Sequence, residues 1–161
     1  MKKVQDMQKE CVDLLESRGV TIQDIVDCVI FLQEPYIPHI REIDLTSLVL
    51  SVLEKREVQH NVLTGIYIDI GIENKTFSSS AFASVIANDE GLYGIDEVIA
   101  YGICNLYGSI ASTNFGYIDK VKPGIIGKLN DVSHETQCNT FLDDIVGAIA
   151  AAAASKLAHS Q

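Results

Sequence analysis

From Ile95 to Tyr107 almost every position after Glu97 is apolar or small. A helix that is apolar all round needs neighbours on every side, so this segment predicts the central helix of a bundle. Gly102 and Gly108 would let those neighbours approach closely. No stretch elsewhere reads convincingly as a sheet. The predicted class is therefore all-α, a compact multi-helix bundle with a central apolar helix surrounded by others.

The flanking sequence supplies about seven helices. Val4, Met7, Cys11, Leu14 and Leu15 recur at helical spacing and Gly19 supplies a stop. Thr21 is a predicted N-cap for Ile22 to Leu32, with Asp24 placed in the first turn. Pro35 and Pro38 end that helix and force an extended link. A third helix starts at Asp44. Val58 to Ile72 is read as helix, although Ile66 to Ile70 alternates like a strand, because a lone short strand has nothing to pair with. Asn74 to Ser80 reads as a loop whose Ser79 or Ser80 caps the next helix, and Asn88 to Gly91 ends it. Ser112 to Gly116 is predicted as a turn, Tyr117 to Val121 as a short helix or extended entry, and Ile125 to Leu129 as a brief helix. After the polar loop Asn130 to Asn139, Thr140 opens a last helix running to about Leu157. Its alanine run suits a buried helix or a subunit contact, since Ala has the best helix propensity and a smooth surface.

At 161 residues and 47% apolar content the chain is expected to form one domain with a substantial core. The longest apolar run, Ile145 to Ala154, is about half of what a membrane span needs. The polar start of the chain shows no signal-peptide pattern, so a soluble cytoplasmic protein is expected. A net charge of -10 excludes a general nucleic-acid backbone binder and simple adhesion to anionic membranes. It leaves room for a phosphorylated substrate contacted through a divalent cation. Cys11, Cys28, Cys104 and Cys138 are widely scattered, which predicts buried reduced thiols rather than a disulfide framework or a zinc site.

Three acidic placements interrupt apolar, helix-like sequence in the last third: Asp96-Glu97, Asp119 with Lys122-Pro123, and Asp143-Asp144. A carboxylate there loses hydration and needs a cation, a donor or a metal. Each has an ordinary explanation as well. Acids are favoured in a first helical turn, and Asp119 with Lys122 has the spacing of a plain helical ion pair. Adjacent helical residues point about 100° apart, so each acidic pair can place one carboxylate inward while the other faces solvent or a supporting donor. Lys122 would either neutralise the acids or contact a phosphoryl oxygen. Should the acids share one metal, an oxygen-only set selects a hard cation, Mg²⁺ before Zn²⁺.

The ordered blocks Gly94-Ile95-Asp96-Glu97-Val98-Ile99, Asp119-Lys120-Val121-Lys122-Pro123 and Phe141-Leu142-Asp143-Asp144-Ile145-Val146-Gly147 resemble the three motifs of the phosphatidylglycerophosphatase A family. The resemblance runs from about Asp89 to Ala154. The first half is similar to a soluble branch whose members include low temperature requirement C proteins. The chain lacks the membrane-spanning runs and the Gly/Pro-rich N-terminal segment of the family's lipid enzymes. The resemblance implies Mg²⁺-dependent hydrolysis of a phosphomonoester, either phosphatidylglycerophosphate or a related phosphorylated lipid or small molecule. It implies metal binding by Glu97, Asp119 and Asp144, assistance from Asp96 and Asp143, and charge stabilisation by Lys122. His134, in the loop before the last helix, could donate to the leaving oxygen or simply be solvated. His60 reads as a helix-surface residue or a supporting one. The competing expectation is a non-catalytic, metal-stabilised homo-oligomer that has kept the acidic site. Either way a homo-oligomer without stable membrane insertion is expected, with transient membrane association left open.

Overall fold

The computed structural model describes residues 2–132 and 137–161, with side chains from residue 6 onward. Among the described residues there are nine α-helices and no strand. They are α1 (Lys2–Ser17), α2 (Ile22–Gln33), α3 (Leu45–Val52), α4 (Arg56–Glu73), α5 (Ser80–Ala87), α6 (Ile95–Cys104), α7 (Ser109–Val121), α8 (Ile125–Val132) and α9 (Leu142–Ser160).

The all-α class is as the sequence predicts, but the central helix is a different one. It is α9, which packs against α2, α3, α4, α6, α7 and α8. From Leu142 to Leu157 every residue except Lys156 is buried. Side-chain size explains the choice. The run Ala150 to Ala154 is fully buried, and methyl groups let several helix axes crowd around one rod. With 19 residues α9 is about 28 Å long, enough to give six neighbours a common surface. By contrast α6 has 10 residues and leaves Ile95, Val98 and Tyr101 exposed on its outer face. The alanine run is therefore core and not a subunit contact.

Local signals hold well. Thr21 caps α2 in a full capping box with Asp24, and Ser79 accepts from the Phe82 N–H at 3.2 Å to cap α5. The strand-like alternation at Ile66 to Ile70 lies inside α4. The expected turn at Ser112 to Gly116 does not exist: α7 runs through it, because Ala111, Phe115 and Ile118 form one buried face on α9. The break falls earlier, at Gly108, whose φ of +96° suits glycine alone. All four cysteines are free and buried. Burial pushes the thiols of Cys11, Cys28 and Cys104 up to about 12, which makes them unreactive.

Candidate functional site

Three helix ends meet at one end of the central rod. The α6 start brings Asp96 and Glu97, the last turn of α7 brings Asp119 and its cap brings Lys122, and the α9 start brings Asp143 and Asp144. Gly94, with φ of +67°, turns the chain into α6. Lys122 itself sits in the left-handed region at φ of +52°, an uncommon conformation for a non-glycine residue. Pro123 follows it and directs the chain away towards α8.

The Lys122 ammonium lies 3.0 Å from Asp119 Oδ1 and 3.8 Å from Asp143 Oδ2. Burial opposes its charge, yet the Asp119 hydrogen bond and the charges of Asp143 and Asp144 prevail and raise its pKa. Asp143 and Asp144 are each 5% exposed, so of the two alternatives for the outer carboxylate, solvent or protein, the structure shows protein. Both flanks of the α9 N-terminus are walled by other helices, so a 100° rotation does not reach water. Burial raises the pKa of Asp143, with Lys122 working against it. Burial also raises that of Asp144, reinforced by the charge of Asp143 and by hydrogen bonds to Asp96 and Asp119. The neutral form of Asp144 is therefore favoured by its surroundings when no cation is bound. Glu97 is exposed, and its pKa is raised by partial burial and by the nearby charges of Asp96 and Asp119. Asp89, at φ of +47°, adds its field to both Glu97 and Asp143.

Six of the seven singled-out residues thus share one neighbourhood: Asp96, Glu97, Asp119, Lys122, Asp143 and Asp144. The seventh, His134, lies outside the described residues. His60 is exposed on α4. Among the described residues no three His, Cys, Asp or Glu side chains already converge closely enough to hold a metal ion. The donor chemistry nevertheless suits a hard divalent cation, since every acid here offers only oxygen and a cation would offset the burial that disfavours the charge of Asp143 and Asp144.

One supporting residue escaped the sequence reading. Asp69, towards the C-terminal end of α4, is fully buried and accepts from the Phe141 N–H at 3.1 Å and the Leu142 N–H at 2.9 Å. These are donors at the first turn of α9, where Phe141 provides no side-chain cap of its own. Asp69 is therefore the N-cap of the central helix, supplied from another helix. The thiol of Cys138 lies 3.5 Å from the same carboxylate, Thr140 donates to the Ile86 carbonyl at 2.6 Å, and Arg18 donates to the Cys138 carbonyl at 2.9 Å. Together they set where the Asp143-Asp144 pair emerges. The only sequence signal was an aspartate between Ile68 and Ile70.

Residues 14–159 match the family model described as Phosphatidylglycerophosphatase A. The chain is 52% identical over 145 residues to the uncharacterized protein YutG of Bacillus subtilis, covering 90% of this chain and 86% of the relative. It is 48% identical over 148 residues to YpjQ of the same organism, covering 92% and 82%. The crystal structure of the low temperature requirement C protein from Listeria monocytogenes superposes with a TM-score of 0.89 at 51% identity, covering 96% of both chains. The crystal structure of Bacillus subtilis YpjQ gives 0.88 at 46% identity, covering 98% of this chain and 96% of that one.

Proposed function

The chain belongs to the phosphatidylglycerophosphatase A family, and from that premise we propose that it is a Mg²⁺-dependent phosphomonoester hydrolase acting at the acidic end of α9. The observation that carries this reading is the Lys122 ammonium held 3.0 Å from Asp119 and 3.8 Å from Asp143, acids of two separate helices, with Asp144 and Asp96 buried in the same neighbourhood. Proteins rarely bury so many acids at one point unless the charge is used.

Glu97, Asp119 and Asp144 would hold the Mg²⁺. Bound there, it would supply positive charge to phosphoryl oxygens and lower the pKa of a water molecule. Lys122 would contact a phosphoryl oxygen, exchanging one carboxylate partner for the substrate. Asp143 or Asp96 would accept the proton that water releases as it forms the new P–O bond, and would return that proton to the alkoxide that leaves as the ester P–O bond breaks. The substrate is phosphatidylglycerophosphate or a smaller phosphomonoester of related shape. No helix of the described residues is long and apolar enough to cross a membrane, so a lipid substrate would have to be met from the water side.

The test is phosphate release from phosphatidylglycerophosphate, and from glycerol 3-phosphate as the tail-less analogue, with and without Mg²⁺. Mg²⁺-dependent release that falls by about 10² or more in Asp144→Asn is expected, the scale of losing one main electrostatic group. Undiminished release in Asp144→Asn would remove the acidic cluster from the chemistry.

A further inference from the structure

The outer face of α6 is largely uncovered, although Tyr101 at its far end packs edge-on against Phe115 of α7. Leu92, in the turn before the helix, is 102% exposed, and Ile95, Val98, Tyr101 and Leu106 are 48%, 63%, 39% and 37% exposed. Ile95 and Val98 are three residues apart and Tyr101 follows three later, so they form one stripe on one side of the helix. The inner side of α6 is occupied by α4, α7 and α9. A helix apolar on both sides, with neighbours on one side only, is the pattern of a helix whose second neighbour comes from outside the chain.

We infer that this face is covered by a second copy of the same chain, through an isologous contact in which the two α6 helices run antiparallel. Charge supports this arrangement. Asp96 and Glu97 lie at the start of α6 and its end carries only Asn105 and Leu106, so antiparallel pairing sets the acidic end of one helix against the uncharged end of the other. A parallel pairing would set acids against acids. Exposed Glu97 argues against a bilayer as the cover, because it projects from the turn that holds Ile95 and Val98 and would enter the apolar layer with them. Area is consistent as well. The five side chains offer on the order of 500 Å², and with a polar rim from Asn105 and Ser109 they approach the roughly 800 Å² per partner of a standard interface.

The contact goes beyond the proposed activity and stands without it. Sedimentation velocity of the full chain is expected to show a species of twice the 17.6 kDa chain mass. Val98→Asp should weaken self-association by about a hundredfold or more, through an uncompensated charge in the middle of the stripe. Tyr36→Ser, which removes a side chain 77% exposed elsewhere on the molecule, should leave it unchanged. Because all four native cysteines are buried, Val98→Cys provides a lone accessible thiol, which a short bismaleimide should join into covalent pairs far faster than Tyr36→Cys. That second variant decides the matter if Val98→Asp fails to fold. A wild-type protein of 17.6 kDa at every concentration would overturn the inference. So would equal cross-linking of the two thiol variants, or a monomer that binds phosphatidylcholine vesicles and loses that binding in Val98→Asp.

Discussion

Lys122 holds an extended set of charges together from a backbone conformation that costs it energy. Its side chain is 32% exposed, so the ion pairs with Asp119 and Asp143 add little to stability, and their value lies in placing a cation beside buried acids. Lys122→Met is expected to lower kcat by about 10² while the melting temperature moves little. Lys122→Arg should recover only part of the activity, since the planar guanidinium cannot replace a compact ammonium at that point. Steady-state kinetics beside thermal melts would separate the two effects. Asp69 makes the opposite kind of contribution. Burial, opposed by the Phe141 and Leu142 N–H bonds, pushes its carboxyl from 3.8 up to about 7. The folded chain therefore holds a proton there that the unfolded chain has released. The stabilisation from that proton is complete below about 3.8 and is lost as pH rises through about 7. Across this window the stability should fall by at most about 1.4 kcal/mol per pH unit from this group. Asp69→Asn should flatten that slope and cost about 1–3 kcal/mol, because the amide nitrogen cannot accept from an N–H. Denaturant titrations at several pH values measure both.

At the scale of elements, α4 and α9 meet where both helices matter most. A Cβ on Gly65 would collide with the Ile145 side chain and crowd Phe141, both of which belong to the first turns of α9. Gly65→Ala is expected to destabilise by about 1–3 kcal/mol and to disturb the acidic pair next door. Gly147, one turn further along α9, would place its Cβ 3.4 Å from Ile118, an ordinary contact. Gly147→Ala should be neutral or stabilising by up to about 1 kcal/mol from helix propensity. The contrast between two helical glycines, read by chemical denaturation, tests whether the α4–α9 approach is as tight as drawn. The sequence motifs place Gly147 among the small residues after Asp143-Asp144, but nothing in them marks Gly65. Its need for a missing side chain comes from a neighbour eighty residues away in the chain.

At the scale of the whole molecule, a Mg²⁺ bound as proposed would couple the buried acids to the stability of the fold. Adding Mg²⁺ at 100 times its Kd should stabilise the fold by about 2.7 kcal/mol. For a chain of this size that is a rise in Tm of about 5–10 °C. Asp144→Asn should abolish the response and, without Mg²⁺, melt no lower than wild type, since it removes a carboxyl whose ionised form is disfavoured by burial. Scanning calorimetry with Mg²⁺ and with a chelator would decide it. A response that persists in Asp144→Asn would place the cation elsewhere.

The sequence alone determined what is local. Helix existence, the Thr21 and Ser79 caps, the buried cysteines and the order of the acidic blocks all depend on residues within a few positions of one another. Their physics is hydrogen bonding and periodicity along a single helix. Only the tertiary structure decided which helix is central, since that depends on how closely six neighbours can approach a rod, and alanines permit what Ile95, Val98 and Tyr101 do not. It also decided that Asp143 and Asp144 are both buried, and that Asp69 caps a helix starting 73 residues later. An apolar run declares that it will be covered. Whether the cover comes from the same chain is settled by packing, and on α6 it leaves Ile95 and Val98 exposed.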